Sequence, residues 1–233
     1  MRNKTIHYCW FGHNKMPKLS DKCIKSWKKY LPDYDIKEWN EDNFDVNIIP
    51  YTTEAYNNHN YAFVSDYARF WILYHYGGFY FDIDVEVIKP LQDIIKEGEY
   101  LGRESINYLG INPGLGMYFE AGNMFLLEML QYYSTLHYVN PDGTYNLHTV
   151  VEYTSEAMEK HGVKKVEEIQ EYSGIKIYPK EFFSPFNYSE VTKNTYTIHH
   201  CASSWKSQGI QLKMRIARIM PKFVWNIYKY MFK

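Results

Sequence analysis

One block constrains this chain more than any other: "YAFVSDYARFWILYHYGGFYFDIDVEVIKPL", residues 61–91. Its first half reads as a helix closed by the pair Gly77-Gly78, since glycine readily takes the left-handed conformation that ends helices. A strand is expected at once after it. Alternation puts Phe79, Phe81, Ile83, Val85 and Val87 on one side, and Tyr80, Asp82, Asp84 and Glu86 on the other. Residues two apart on a strand lie roughly 6.5–7 Å from each other, so the carboxylates repel unless water or a cation compensates them. Two readings follow: a solvated strand face, or a site for a hard divalent cation. Such cations take one or two protein carboxylates and fill their remaining positions with substrate phosphate and water. A D-x-D spacing alone is a weak signal.

The surrounding pattern sets the fold class. Residues 5–10 read as a short buried strand, 19–30 as a helix with Leu19, Cys23, Trp27 and Tyr30 along one side, and 34–39 as a second strand. That order favours an α/β fold with a mostly parallel central sheet, whose ligands gather beyond the carboxyl ends of the strands. Residues 122–136 and 146–161 read as helices separated by the turn-rich "VNPDGTY"; "GIKIYP" and "NTYTIHH" read as short strands. Neither an internal repeat nor a linker is visible. The expected organisation is one domain over residues 1–205 and a helical appendage over 206–233.

Charge distribution singles out that appendage. The net charge is −1, yet after Glu190 the chain has eight basic residues and no acidic one, so the last segment carries +8 and residues 1–190 carry −9. Its lysines and arginines are interleaved with Ile210, Leu212, Ile216, Ile219, Phe223, Trp225 and Phe232. This pattern suits either an interfacial helix drawn to anionic lipid or a helix docked on the body with its lysines in water. Cys9, Cys23 and Cys201 are too few and too scattered for a disulfide framework or a cysteine zinc site. No run of 18 apolar residues occurs, and the N-terminus is poor material for a signal peptide. The expectation is a cytoplasmic protein, free or peripheral on the inner face of the membrane, with no nucleic-acid partner. The 24 tyrosines exceed what packing requires and suit surfaces that touch sugars, although many will be core.

Three further clusters gain meaning beside the carboxylates. In "IHYCWFG", Trp10 follows the first strand and can stack a base or sugar, while Gly12 permits close approach to the backbone; a packed tryptophan is the plainer reading. In "SDYAR", Asp66 and Arg69 share a helix face, either as a simple ion pair or with the arginine fork aimed at a diphosphate. In "HHCASSW", adjacent histidines point opposite ways, so at most one of His199 and His200 faces a site; a neutral imidazole suits Mn2+ or Zn2+ better than Mg2+.

The pieces "TIHYCWFG", the block at 61–91 and "YTIHHCASSW" together resemble the family 32 glycosyltransferases, of the bacterial capsular and surface-polysaccharide type. The resemblance leaves out roughly residues 105–190 and the basic tail. It implies a GT-A fold, a nucleoside-diphosphate sugar donor with uridine ahead of guanosine, Mn2+ or Mg2+, a glycan or lipid-linked oligosaccharide acceptor, and transfer of a hexosyl or N-acetylhexosaminyl group with retention of configuration. By position it implies that Trp10 stacks on the nucleobase, that Asp66 and Arg69 hold donor sugar and phosphate, and that Asp82 contacts ribose, sugar or metal. Asp84 and His200 would be metal ligands, and Ser204 and Trp205 would close over the diphosphate. No catalytic base or nucleophile is named; a covalent adduct on Asp66 or Glu120 would contradict front-face transfer. Two rivals stay open at this point: a metal-dependent nucleotidyltransferase and a carbohydrate-binding module without turnover.

Overall fold

The computed structural model describes residues 3–105, 107–185 and 188–201. Strand β1 (Thr5–Cys9), helix α1 (Lys18–Tyr30) and strand β2 (Asp35–Trp39) form the expected opening unit, followed by α2 (Pro50–Asn57) and α3 (Tyr61–Tyr76). Then come β3 (Gly78–Tyr80), β4 (Val85–Val87), α4 (Gln92–Lys96), β5 (Glu99–Arg103), β6 (Ile111–Asn112) and β7 (Met117–Phe119). The described chain continues through α5 (Met124–Tyr133), α6 (Val150–Lys160), β8 (Gln170–Tyr172), β9 (Ile175–Tyr178), α7 (Lys180–Phe183) and β10 (Thr197–His199).

The main sheet has the order β2-β1-β3-β7-β5-β9-β8, with β6 beside β5. β1 pairs in parallel with β2 and β3, and β5 with β9; β7 is antiparallel to both β3 and β5. Five of the eight strands therefore run one way, with β6, β7 and β8 reversed. This is the α/β architecture with a mostly parallel sheet. Side-chain parity divides the core between its two faces: Leu101, Met117, Phe119 and Ile177 pack with α2, α3, α5 and α6, whereas Ile6, Phe79, Tyr100 and Tyr118 pack with α1 and α7. Many tyrosines are consumed here, since Tyr51, Tyr80, Tyr100, Tyr118, Tyr133 and Tyr138 are fully buried.

Helix α3 ends as expected. Gly77 has φ +64°, and its N–H bonds the Leu73 carbonyl at 2.8 Å. A side chain there would meet the Ala121 amide nitrogen at 2.8 Å. The next strand departs from expectation. β3 stops at Tyr80, the Val85 N–H reaches back to the Asp82 carbonyl at 3.0 Å, and β4 leaves the main sheet to pair antiparallel with β10. Residues 79–87 are thus two short strands joined by a turn. Asp82, Asp84 and Glu86 do not share one strand face, because the chain turns between Asp82 and Val85, a setting in which aspartate is common. α1 anchors the displaced strand: Trp27 Nε1 donates to the Val85 carbonyl at 2.7 Å, and the Val87 N–H donates to Ser26 Oγ at 2.9 Å.

At the opposite end of β3, His7 Nε2 lies 3.0 Å from the Gly77 carbonyl while Trp39 Nε1 donates to its Nδ1 at 3.0 Å, which assigns the neutral tautomer with the proton on Nε2. Burial, aided by nearby Lys37, lowers its pKa from 6.5 to about 4 despite the Gly77 bond. Between these values the unfolded chain binds a proton that the fold refuses, so stability rises with pH there. A loss of about 3 kcal/mol is expected as pH falls from 6.5 to 4, levelling off below. Melting curves of wild type and His7→Phe between pH 4 and 7 check this, and equal slopes would clear His7 of the effect. The basic segment over 206–233, with the domain boundary ahead of it, lies outside the described residues. Among the described residues no helix is long and apolar enough to cross a membrane.

Candidate active site

The turn that breaks the expected strand makes the site. It sits beyond the carboxyl ends of β1 and β3, since the register pairs His7 with Tyr80 and brings both strand ends to one edge. Asp82 leaves this edge with its N–H on the Gly114 carbonyl at 3.2 Å, and Asp84 follows on the far side of the turn. One oxygen from each aspartate and one ring nitrogen of His199 all lie within 4.8 Å of one another. Asp84 and His199 are buried, 9% and 8% exposed, and Asp82 is half-buried. His199 Nε2 is 3.2 Å from Asp84 Oδ1, and its Nδ1 is 3.4 Å from the Cys201 sulfur. Burial opposes charge on that ring, but Cys201 and Asp84 outweigh it and raise its pKa well above the usual histidine value.

Two carboxylates and one imidazole fit a divalent cation, and the mixed oxygen and nitrogen set suits Mn2+ better than Mg2+. The imidazole that the fold sets beside the two aspartates is that of His199, whereas the expected ligand was His200. The antiparallel pairing sets His199 opposite Val85 and turns its ring to Asp84; His200 turns the other way, its Nε2 at 2.8 Å from Glu86 Oε2. Glu86, expected beside the aspartates, is drawn off in the same way. It accepts from His200, from Lys22 at 2.7 Å and from Tyr188 at 2.8 Å. Burial would raise its pKa, but these three partners hold it down at about 2.

Behind the turn lies a buried ion-pair network. Arg69, 4% exposed, places its terminal Nη2 2.9 Å from Asp66 Oδ1 and 3.5 Å from Asp82 Oδ1. Its Nε donates to the Ser65 carbonyl at 3.0 Å and its guanidinium stacks 5.0 Å over the Tyr80 ring, while Tyr80 OH donates to Asp82 Oδ1 at 3.2 Å. The ion-pair reading of "SDYAR" is met, since the arginine pairs with Asp66 on its own helix, and the same arginine also reaches Asp82. Burial raises the Asp66 pKa to about 6 against the pull of Arg69, and raises that of Asp82 with Asp84 adding to it. Burial disfavours charge on Arg69, but Asp82, Tyr80 and Asp66 more than restore it.

Trp10 is half-buried at the end of β1 and donates from Nε1 to the Asn14 carbonyl at 2.5 Å. Gly12 does not open the backbone to a ligand where a Cβ would project: that atom would sit 2.3 Å from the Tyr61 ring. Its N–H donates to Glu41 at 2.8 Å. Glu120 follows β7, which runs antiparallel to β3, so it lies beside Gly77 at the opposite edge from Asp82. Ser204 and Trp205 lie outside the described residues. Beside the aspartates, a turn escaped the sequence reading. The turn Asn112-Pro113-Gly114 backs onto Asp82, with Asn112 Oδ1 accepting from Gly114 N at 2.7 Å and Asn112 Nδ2 donating to Glu104 at 2.6 Å. Its signal was the Asn-Pro-Gly turn sequence itself, in a region without a recognised motif.

Residues 17–101, the stretch from the start of α1 into β5, match the family described as "Glycosyltransferase sugar-binding region containing DXD motif". Among solved structures, a "PaToxG Glycosyltransferase" superposes with TM-score 0.53 at 18% identity, over 68% of each chain. The fold is GT-A. Two curated relatives come from Schizosaccharomyces pombe (strain 972 / ATCC 24843). "Inositol phosphoceramide mannosyltransferase 3" is 29% identical over 132 residues, which is 55% of this chain and 36% of that protein. "Inositol phosphoceramide mannosyltransferase 1" is 27% identical over 118 residues, 45% of this chain and 35% of that protein. The chain thus spans about a third of the length of these relatives. The matched region holds Asp66, Arg69, Asp82 and Asp84, while His199 comes from beyond it.

Proposed function

We propose that this chain is a metal-dependent, retaining glycosyltransferase that moves a hexosyl group from a nucleoside diphosphate to a hydroxyl of a glycan or lipid-linked acceptor in surface polysaccharide synthesis. The observation that carries this reading is the Asp82, Asp84 and His199 set at the carboxyl edge of the parallel strands, inside a fold with the sugar-binding D-x-D match. The names of the fungal relatives support a sugar donor and a phosphate-bearing lipid acceptor. They also place mannose beside glucose and galactose among donor sugars to try. A uridine base is preferred to guanosine, with Trp10 as its stacking partner.

Asp82, Asp84 and His199 would hold the cation, which when bound stabilises the negative charge growing on the departing diphosphate. The protein's own contribution is preorganisation. Arg69 and Tyr80 hold Asp82 before substrate arrives, and an arginine anchored to Asp66 and Ser65 cannot wander. Retention by front-face attack agrees with a site in which Asp66 is committed to Arg69 and Glu120 lies at the other edge of the sheet. Trp205 and Ser204, in the proposed closing segment, would exclude water from the donor. The basic tail, +7 over residues 206–233, would hold the enzyme at an anionic membrane near a lipid-linked acceptor.

A panel of uridine and guanosine diphosphate sugars, incubated with the protein and Mn2+, tests the reading through nucleoside diphosphate release. Release with at least one donor, abolished by chelation, is the expected result. Pyrophosphate release from a nucleoside triphosphate would favour nucleotidyl transfer instead. Sugar binding with no donor consumed and no metal dependence would favour a binding module.

A further inference from the structure

Three polar groups meet at one carboxylate oxygen beside the proposed metal site. Glu86 Oε2 accepts from Lys22 Nζ on α1 at 2.7 Å, from Tyr188 OH at 2.8 Å and from His200 Nε2 at 2.8 Å, and Lys22 also donates to Tyr188 OH at 2.8 Å. The cluster joins segments far apart in the chain: α1, β4, the short turn Tyr188–Glu190 and the residue after β10. None of these four side chains belongs to the site described above.

The arrangement solves a problem of degeneracy. Two carboxylates two residues apart, Asp84 and Glu86, face two adjacent imidazoles, His199 and His200. Either histidine could in principle meet either acid, and only one pairing puts an imidazole next to Asp82. β10 is three residues long, so its ladder with β4 supplies little force against a slip. Neighbouring residues in extended chain point to opposite faces. Securing the His200 ring on Glu86 therefore turns the His199 ring to Asp84, and the His200 N–H on the Asp84 carbonyl at 2.9 Å fixes the spacing. Lys22 and Tyr188 make Glu86 the anchor, since both donate to the same oxygen that holds the His200 ring.

We infer that Glu86, engaged by Lys22, Tyr188 and His200, is a positioning residue that selects His199 as the metal-binding histidine and orients it toward Asp84 and Asp82. This rests on the metal reading proposed above. Partners one shell removed from a metal typically cost about 10- to 100-fold in metal affinity when lost.

Mn2+ binding to the whole chain, followed by electron paramagnetic resonance without any sugar donor, tests it. Glu86→Ala and His200→Ala should each weaken Mn2+ binding about 10- to 100-fold. The double variant should bind no worse than either single, because both remove the same constraint. His199→Ala should lose binding, and nitrogen coupling to Mn2+ should survive in His200→Ala. A merely structural cluster would lower the melting temperature of Glu86→Ala and leave its Mn2+ affinity unchanged, which overturns the inference. So would loss of nitrogen coupling in His200→Ala but not in His199→Ala, since His200 would then be the ligand itself. Should the Glu86 variants fail to fold, Lys22→Met and Tyr188→Phe at exposed positions carry the test. A several-fold loss in them supports the clasp, and wild-type affinity in both refutes it. Failure of the wild type to bind Mn2+ removes the metal reading and the inference together; binding by the wild type with indifferent variants removes the inference alone.

Discussion

Asp84→Ala is expected to cut donor turnover by at least about 10^3-fold, equivalent to about 4 kcal/mol of transition-state stabilisation. The side chain is buried, meets His199 at 3.2 Å and is one of three groups able to hold the ion. Its backbone role, accepting the His200 N–H, survives the substitution. The melting temperature should therefore stay close to that of the wild type while Mn2+ binding and nucleoside diphosphate release both disappear. Turnover within tenfold of wild type would remove Asp84 from the machinery and return the aspartates to a solvated turn.

Gly114→Ala is expected to cost about 10^2-fold in turnover, the penalty typical of displacing a reacting or ligating group by about 1 Å. A methyl at this position would sit 2.1 Å from Asp82 Oδ2 and 2.9 Å from its carboxyl carbon. The atom in the way is the end of a side chain, so the fold yields cheaply. The carboxylate does not, because Arg69 and Tyr80 hold its other oxygen. Asp82 must then leave the position it shares with Asp84 and His199. Calorimetry should find nearly normal unfolding, and Mn2+ titration should find weakened binding. A strongly destabilised protein with intact Mn2+ affinity would show that the glycine serves packing alone.

Much of the framework was legible because its signals are local. Helix α3 and its glycine stop are written in one uninterrupted stretch, and β1, α1 and β2 follow from apolar spacing with no help from elsewhere. The helices expected over 122–136 and 146–161 start two and four residues later. Asn123 and Thr149 cap them with their side chains, Thr149 in a reciprocal arrangement with Glu152. Helix α2 was overlooked although Pro50 marks its first turn. The break at Asp82 was illegible for a definite reason: "FDIDVEV" satisfies a two-residue period perfectly, and nothing in that period says that the chain bends between Asp82 and Val85. The choice between His199 and His200 was equally closed, since both parities are open until the pairing of β10 with β4 is known. Asp66, Arg69, Asp82 and Asp84 come together as the motif suggested, but the arginine acts through an aspartate on its own helix as well as on the turn.

The ladder between β4 and β10 joins residues more than a hundred positions apart, and this has a consequence for biosynthesis. During translation the first two acids of the centre emerge early, while the imidazole that completes it arrives only when the ribosome has passed Thr197. Until then the histidine is missing from the cluster, so a cation that Asp82, Asp84 and His199 would hold together meets the complete set only after most of the chain has been made.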